Sequence, residues 1–264
     1  MSAIAMTRSG DRIAFDRLGE GPGVVFVAGA GPCRATDPTT TRTAELAARQ
    51  GVQTLVFDRL GRGESAAEGD LTLERELDAI AAAIDAVGGR AVLVGHSSGC
   101  SIALAAADAG LPVTGLALWE APIGQFRGGA AQFEADFLAH LDAGDLEAAQ
   151  VEYMRDMPPE FLEHARAMPE WPQIAAGSRT YRADARSLAW AEEVPLAERL
   201  AGVAVPALVM VGAQTFPGMR ETAERLAEAL PRATFREMPG AMHDWEPAPM
   251  ADALVRLALE AAQG

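Results

Sequence analysis

What most limits how this chain can fold is the order of its apolar runs. Short β-type runs alternate with longer helical patterns along most of its length. Runs at 12–18 and 24–28 read as strands, 41–50 as a helix, and 52–57 as a β-rich run. The segment 73–87 repeats apolar residues at helical spacing and stops before Gly88-Gly89, a helix-terminating pair. A buried-strand pattern at 91–94 leads into an Ala-rich helix over 98–109, followed by a strand at 113–119. After a gap the rhythm resumes with strand 207–211, helix 218–230, strand 234–238 and a last helix over 250–262. Strands that alternate with helices predict a mostly parallel sheet covered by helices on both faces, the α/β class.

The gap is residues 123–195. It holds no convincing β-run; helical stretches there are broken by Gly144, Pro158-Pro159, Pro169, Pro172 and Gly177, and the block is rich in Phe, Tyr, Trp and Met. The expected organisation is therefore one α/β core made of residues 1–122 and 196–264, with 123–195 inserted as a helical lid, or cap. A chain of 264 residues can bury a core without a metal or disulfide staple. Cys33 and Cys100 have neither disulfide-framework nor metal-ligand spacing, and two scattered thiols fit a reducing cytoplasm. Arg8, Asp11 and Arg12 interrupt any signal-peptide apolar region, and no uninterrupted apolar run reaches the ~18 residues of a membrane span. The expectation is a cytoplasmic monomer or homodimer.

Charge excludes several activities. All 22 basic residues are Arg, so lysine Schiff-base chemistry and the P-loop lysine are both absent. With 37 acidic residues the net charge is −15, which argues against nucleic acid or an anionic membrane as partner but points to no particular substrate; the expected partner is a small-molecule substrate. Gly29-Ala30-Gly31 after the run at 24–28 resembles the start of a dinucleotide fingerprint. Arg34 stands where its third glycine belongs, and Pro32 and Pro38 deny it an immediate helix. No cofactor is expected, and four scattered histidines (His96, His140, His164 and His243) make no metal set.

The sharper turn is Gly95-His96-Ser97-Ser98-Gly99, a G-x-S-x-G between a strand and a helix. A strand that turns abruptly into a helix crowds the backbone, so small residues flank a strained serine whose Oγ stands above the sheet. Together with Asp58-Arg59-Leu60-Gly61-Arg62-Gly63-Glu64-Ser65 and Pro239-Gly240-Ala241-Met242-His243, this turn resembles the α/β-hydrolase superfamily from residue 12 to the C-terminus. The resemblance implies the α/β-hydrolase fold and a triad in the chain order Ser, acid, His. Ser97 is then the nucleophile and His243, just past strand 234–238, the base. His96 is expected to pack under the turn, with His140 and His164 on lid helices.

The acid departs from the common pattern. The usual carboxylate follows strand 207–211, three residues after a glycine; Gly212-Ala213-Gln214 puts Thr215 there. Glu120, at the end of strand 113–119, is the expected replacement, with Glu221 the other candidate. Haloalkane dehalogenases and zearalenone-type lactonases place their acid after this strand. Ser97 excludes the dehalogenase, which needs an Asp nucleophile. The lactonases are similar also in Gly31-Pro32-Cys33, Glu120 with Pro122, Val211-Gly212-Ala213 with Thr215, and Pro239-Gly240 with Met242-His243.

The resemblance further implies an oxyanion hole of two backbone N–H groups, one from Ser98 and one from Gly29 or Ala30. Asp58 and the Gly61/Gly63 turn read as scaffold, and Arg59 as a rim residue that contacts substrate or forms a salt bridge. Trp171, Tyr181, Trp190, Met154 and Met242 are expected to bind an apolar, aromatic or macrocyclic ester or lactone. Two rivals remain at this point: a ligand-binding or receptor-like protein with an impaired triad, which Thr215 motivates, and a thioesterase or C–C hydrolase using the same three residues.

Overall fold

The computed structural model describes residues 2–263. Among these, nine strands form one sheet: β1 (Ala3–Met6), β2 (Arg12–Leu18), β3 (Gly23–Val27), β4 (Gln53–Phe57), β5 (Ala91–His96), β6 (Val113–Trp119), β7 (Ala207–Gln214), β8 (Ala233–Ala241) and β9 (Asp244–Trp245). Their spatial order is β1-β2-β4-β3-β5-β6-β7-β8-β9. From β4 through β8 every pairing is parallel, and antiparallel pairings occur only at the two edges.

The helices are α1 (Pro38–Ala48), α2 (Leu73–Ala86), α3 (Gly99–Asp108), α4 (Ala130–Asp142), α5 (Leu146–Tyr153), α6 (Pro159–Ala167), α7 (Trp171–Gly177), α8 (Arg182–Glu192), α9 (Leu196–Arg199), α10 (Met219–Ala229) and α11 (Pro247–Ala261). Side chains alternate across a strand, and this divides the core in two. Val25, Leu93, Leu116, Leu118 and Val209 pack on one face with Ile80 and Ile84 of α2, Ile102 and Leu104 of α3 and Leu226 of α10. Val24, Val92, Val94, Ala117, Leu208 and Met210 pack on the other, with Ala44 and Ala47 of α1 and Leu254 of α11. Each large apolar side chain so buried contributes roughly 1.5–3 kcal/mol. Strands buried on both faces read as continuous apolar runs, which is why β5 and β7 carry Val, Leu and Met without polar alternation.

Helices α4 to α9 lie between β6 and β7, the segment in which the sequence lacks β-runs. Helix α8 is seated deeply: Ala185, Leu188, Ala189 and Ala191 join the core, and Ser187 Oγ lies 2.7 Å from Ser101 Oγ of α3. Helix α6 has no buried residue at all. No helix among the described residues is long and apolar enough to cross a membrane.

Candidate active site

Ser97 follows the last residue of β5 with φ of +54°, a left-handed conformation that non-glycine residues adopt at a cost of ~1–3 kcal/mol. Its N–H donates to Trp119 O at 2.9 Å and its carbonyl accepts from Cys100 N–H at 2.9 Å. The flanking glycines make the turn possible. A Cβ on Gly95 would stand 2.6 Å from Cys100 Cα, and one on Gly99 would fall well inside 3.0 Å of Val27 O. The strain places Ser97 partly exposed above the C-terminal end of the sheet.

Glu120 and His243 reach the same place from β6 and from the turn after β8. Glu120 (φ +49°) and His243 (φ +75°) are themselves left-handed. The Glu120 carboxylate is buried; its Oε2 lies 2.5 Å from His243 Nδ1 and its Oε1 accepts from Gly212 N–H at 3.0 Å. A Cβ on Gly212 would come 3.1 Å from Glu120 Oε1, so a side chain there would crowd the acid. Burial alone would raise the Glu120 pKa. The imidazole, the nearby Thr215 hydroxyl and the Gly212 N–H outweigh it and hold the carboxyl below its ordinary value. Thr215 Oγ1 is buried without a partner in hydrogen-bond geometry, so its influence on Glu120 is that of a nearby dipole. Glu221 is exposed on the first turn of α10, and the carboxylate paired with His243 is that of Glu120.

A carboxylate at Nδ1 makes that nitrogen the donor and leaves Nε2 as an acceptor. The backbone of His243 is pinned as well: its carbonyl accepts from Trp119 Nε1 and His96 Nε2, each at 2.9 Å. His96 does sit beside the turn, its ring 5.2 Å from Trp245 and 4.8 Å from His243. Ser97 Oγ and His243 Nε2 are not within hydrogen-bond geometry of each other; contacts between nucleophile and base tighten in the Michaelis or transition-state complex.

The loop after β3 packs against the serine turn. Ser98 N–H and Gly29 N–H make no protein hydrogen bond among the described residues, whereas Ala30 N–H donates to Ser98 Oγ at 3.1 Å. Behind the loop lies a buried ion cluster. Asp184 of α8 accepts from Arg59 Nη1 (2.7 Å), Arg59 Nη2 (3.1 Å), Arg62 Nη2 (3.0 Å) and Ser98 Oγ (2.7 Å). Arg59 Nε also reaches Glu76 Oε2 at 3.2 Å. Two guanidiniums and two carboxylates thus share one buried space, with side chains 0–3% exposed, and their formal charges cancel. Arg59 is 0% exposed, which corrects its placement on the rim: it is the salt bridge. Asp58 is scaffold, accepting the backbone N–H groups of Arg34 (2.8 Å) and Glu64 (2.9 Å).

Ser97 and His243 line a cavity of about 540 Å³, with Phe126, Tyr153, Phe161, Leu188, Phe216 and Met219 among its walls. Phe161 of α6 meets Phe216 edge-on at 4.9 Å, and Phe216 lies 5.8 Å from the His243 ring. Asp156 and Glu160 also border the cavity, and no Arg does.

Residues 24–258 match the alpha/beta hydrolase family. The chain belongs to that family. A crystal structure of an alpha/beta hydrolase from Sphaerobacter thermophilus superposes on this hydrolase with a TM-score of 0.81 at 32% identity, covering 97% of this chain and 99% of that one. A thermophilic esterase from Thermogutta terrifontis has a TM-score of 0.66 at 20% identity, with 100% of this chain and 97% of that one covered. An esterase from a Rhodococcus species has 0.64 at 18%, with 98% of each chain covered. At such identities the two esterases share the fold. No curated protein matches this chain in sequence.

None of the five aromatic and Met residues expected at the hydrolase's substrate lines the cavity. Trp171 Nε1 donates to Glu147 at 3.2 Å, Trp190 stacks under Arg199 at 4.9 Å, and Met154 only caps α5. Tyr181 is buried one layer behind Tyr153, with ring centroids 4.8 Å apart. Met242 is 66% exposed, because its left-handed backbone serves the turn that presents His243. Residue type alone does not separate large apolar side chains that pack the helices of 123–195 from those that wall the cavity. Phe216, four residues past Gly212, lies outside that block; its signal is its place in a loop leaving the C-terminal end of a parallel strand, where site residues gather.

Proposed function

We propose that this hydrolase cleaves a carboxylic ester or lactone of an apolar, uncharged small molecule through an acyl-enzyme intermediate. The observation that carries the reading is the His243 ring, bonded through Nδ1 to buried Glu120 and lining the same cavity as Ser97. In this reading His243 Nε2 takes the Ser97 proton as Oγ attacks the carbonyl carbon. The carbonyl oxygen becomes an oxyanion held by Ser98 N–H and an N–H of the Gly29-Ala30 loop, and the imidazolium returns its proton to the departing alkoxide. Water, deprotonated by the same ring, then releases the acid and restores Ser97. Glu120 holds the ring's tautomer and stabilises its cationic form; Thr215 in the usual acid position does not impair the triad, because β6 supplies the carboxylate instead. The lactone option draws on the similarity to zearalenone-type lactonases, and residues 123–195 act as the cap.

The cavity's apolar walls favour an apolar acyl or alcohol group, and its charges set a further preference. A substrate carboxylate would lie against apolar walls with no free cation beside it, since Arg127 and Arg155 are already paired with Asp156 at 2.6 and 3.1 Å. Taking an unpaired carboxylate out of water into such a site costs roughly several kcal/mol. Steady-state hydrolysis of p-nitrophenyl esters tests this. Neutral butyryl and hexanoyl esters should turn over, acyl chains ending in a carboxylate should be about tenfold or more poorer, and Ser97→Ala should lose about 10³-fold or more in kcat/KM. Failure to turn over any neutral ester, or full activity in Ser97→Ala, contradicts the reading.

A further inference from the structure

The buried ion cluster is not part of the Ser97–His243–Glu120 set, yet its hydrogen bonds end on the loop that faces Ser97. Arg59 Nη1 donates to Ala28 O at 3.0 Å and Arg62 Nη1 to Gly29 O at 2.5 Å. In a planar trans peptide the C=O and the following N–H point in opposite directions. Anchoring the Ala28 carbonyl therefore aims the Gly29 N–H away from Arg59, and Gly29 lies against the nucleophile, where a Cβ on it would come 2.9 Å from Ser97 Cβ; the Ala30 N–H is spent on Ser98 Oγ, which fixes the loop from its other side. The Asp184 carboxylate, held below its ordinary pKa by Arg59 and Arg62 despite burial, can only accept. Ser98 must donate its hydroxyl proton to it at 2.7 Å, which turns the Ser98 lone pairs toward Ala30 N–H. One carboxylate thus orients both arginines and the serine hydroxyl beside the nucleophile.

We propose that Asp184 is a positioning residue for the oxyanion hole: from α8 it holds, through Arg59, Arg62 and Ser98, the loop at 28–30 and so sets the direction of the Gly29 backbone N–H. The inference rests on the serine-hydrolase reading above. It makes the seating of α8 a condition for transition-state stabilisation, although Asp184 touches no substrate. A misaligned donor is felt in the transition state more than in the bound ester, which separates this role from a merely structural one.

The test compares wild type, Asp184→Asn and Arg62→Gln, each first checked for cooperative unfolding. Kinetics on a neutral p-nitrophenyl ester are paired with inhibition by an alkylboronic acid and by a neutral amide of the same chain. The boronic acid adds to Ser97 as a tetrahedral anion; the amide mimics the ground state. Expected are a kcat lowered about 10- to 100-fold with KM within about twofold, boronate affinity falling in step, and amide affinity unchanged. A folded variant that keeps its kcat, or loses efficiency through KM alone, overturns the inference while leaving the hydrolase reading intact. If Asp184→Asn does not fold, Arg62→Gln decides by the same criteria, because Asp184 there keeps its two bonds to Arg59. A wild type inert to every ester and to the boronic acid overturns both.

Discussion

His96 and His243 have ring centroids 4.8 Å apart, so two protons at once would set like charges side by side. Burial resolves the conflict: with the added presence of His243 it lowers the His96 pKa from 6.5 to about 4, so His96 is neutral at neutral pH and donates Nε2–H to the His243 carbonyl. A depressed folded-state pKa contributes stability that is whole above the unfolded value, near 6.5, and is lost as pH falls toward the folded value. Between those limits wild type should lose about 2–3 kcal/mol through this residue. Urea unfolding at pH 7.5, 6, 5 and 4.5 should therefore show a shallower acid-side decline for His96→Gln than for wild type. Parallel declines would place the His96 pKa at its ordinary value. At this scale Glu120 was legible because an ionisable residue ends an otherwise apolar strand and Thr215 vacates the usual acid position. Its Gly212 partner was not, since an N–H aimed across a strand gap leaves no mark in residue identity. The Arg59–Asp184 pair, 125 residues apart, has no spacing signal either, and Arg59 alone fits a rim as readily as a core.

Among the elements, the serine turn is the one whose sequence and geometry agree most closely, because sterics restrict the residues there to very few. Gly99 packs against Val27 O at the end of β3, so the turn is held by a neighbouring strand as well as by its own. Gly99→Ala should cost about 2–3 kcal/mol in urea unfolding, through overpacking with no flexible atom to yield, and should displace Ser97 enough to lose ester turnover. A variant within about 0.5 kcal/mol of wild type that stays active would show that α3 can shift away from β3. The parallel strands were legible for a related reason: burial on both faces requires unbroken apolar runs. Strands β1 and β9 were not, being short edge strands of four and two residues. The continuation of β8 through Pro239-Gly240 was also hidden, because both residues argue against a strand. It exists because β9 pairs antiparallel with it at Gly240 and Ala241, and that pairing leads into the turn that carries His243.

At the scale of the whole molecule the residues of the site come from four places far apart in sequence, the ends of β3, β5 and β6 and the turn after β8, gathered because parallel strands present their C-terminal ends on one side. The helices between β6 and β7 divide between a part locked to the core, α8 through Asp184 and Ser187, and a part that borders the cavity with little packing, α6. The apolar walls and the absence of a lining Arg among the described residues are what support the uncharged substrate proposed above. The central claim, that Ser97 is activated by His243 under a carboxylate supplied from β6, is tested most directly by an alkyl fluorophosphonate. Ser97 Oγ would attack phosphorus and expel fluoride, leaving a stable adduct that mass spectrometry of the intact protein and its peptides can count and locate. The account predicts one adduct per chain on Ser97, none in Ser97→Ala, and labelling of Glu120→Gln slowed about 100-fold or more. Labelling of Glu120→Gln at the wild-type rate, or an adduct on any residue other than Ser97, would contradict it.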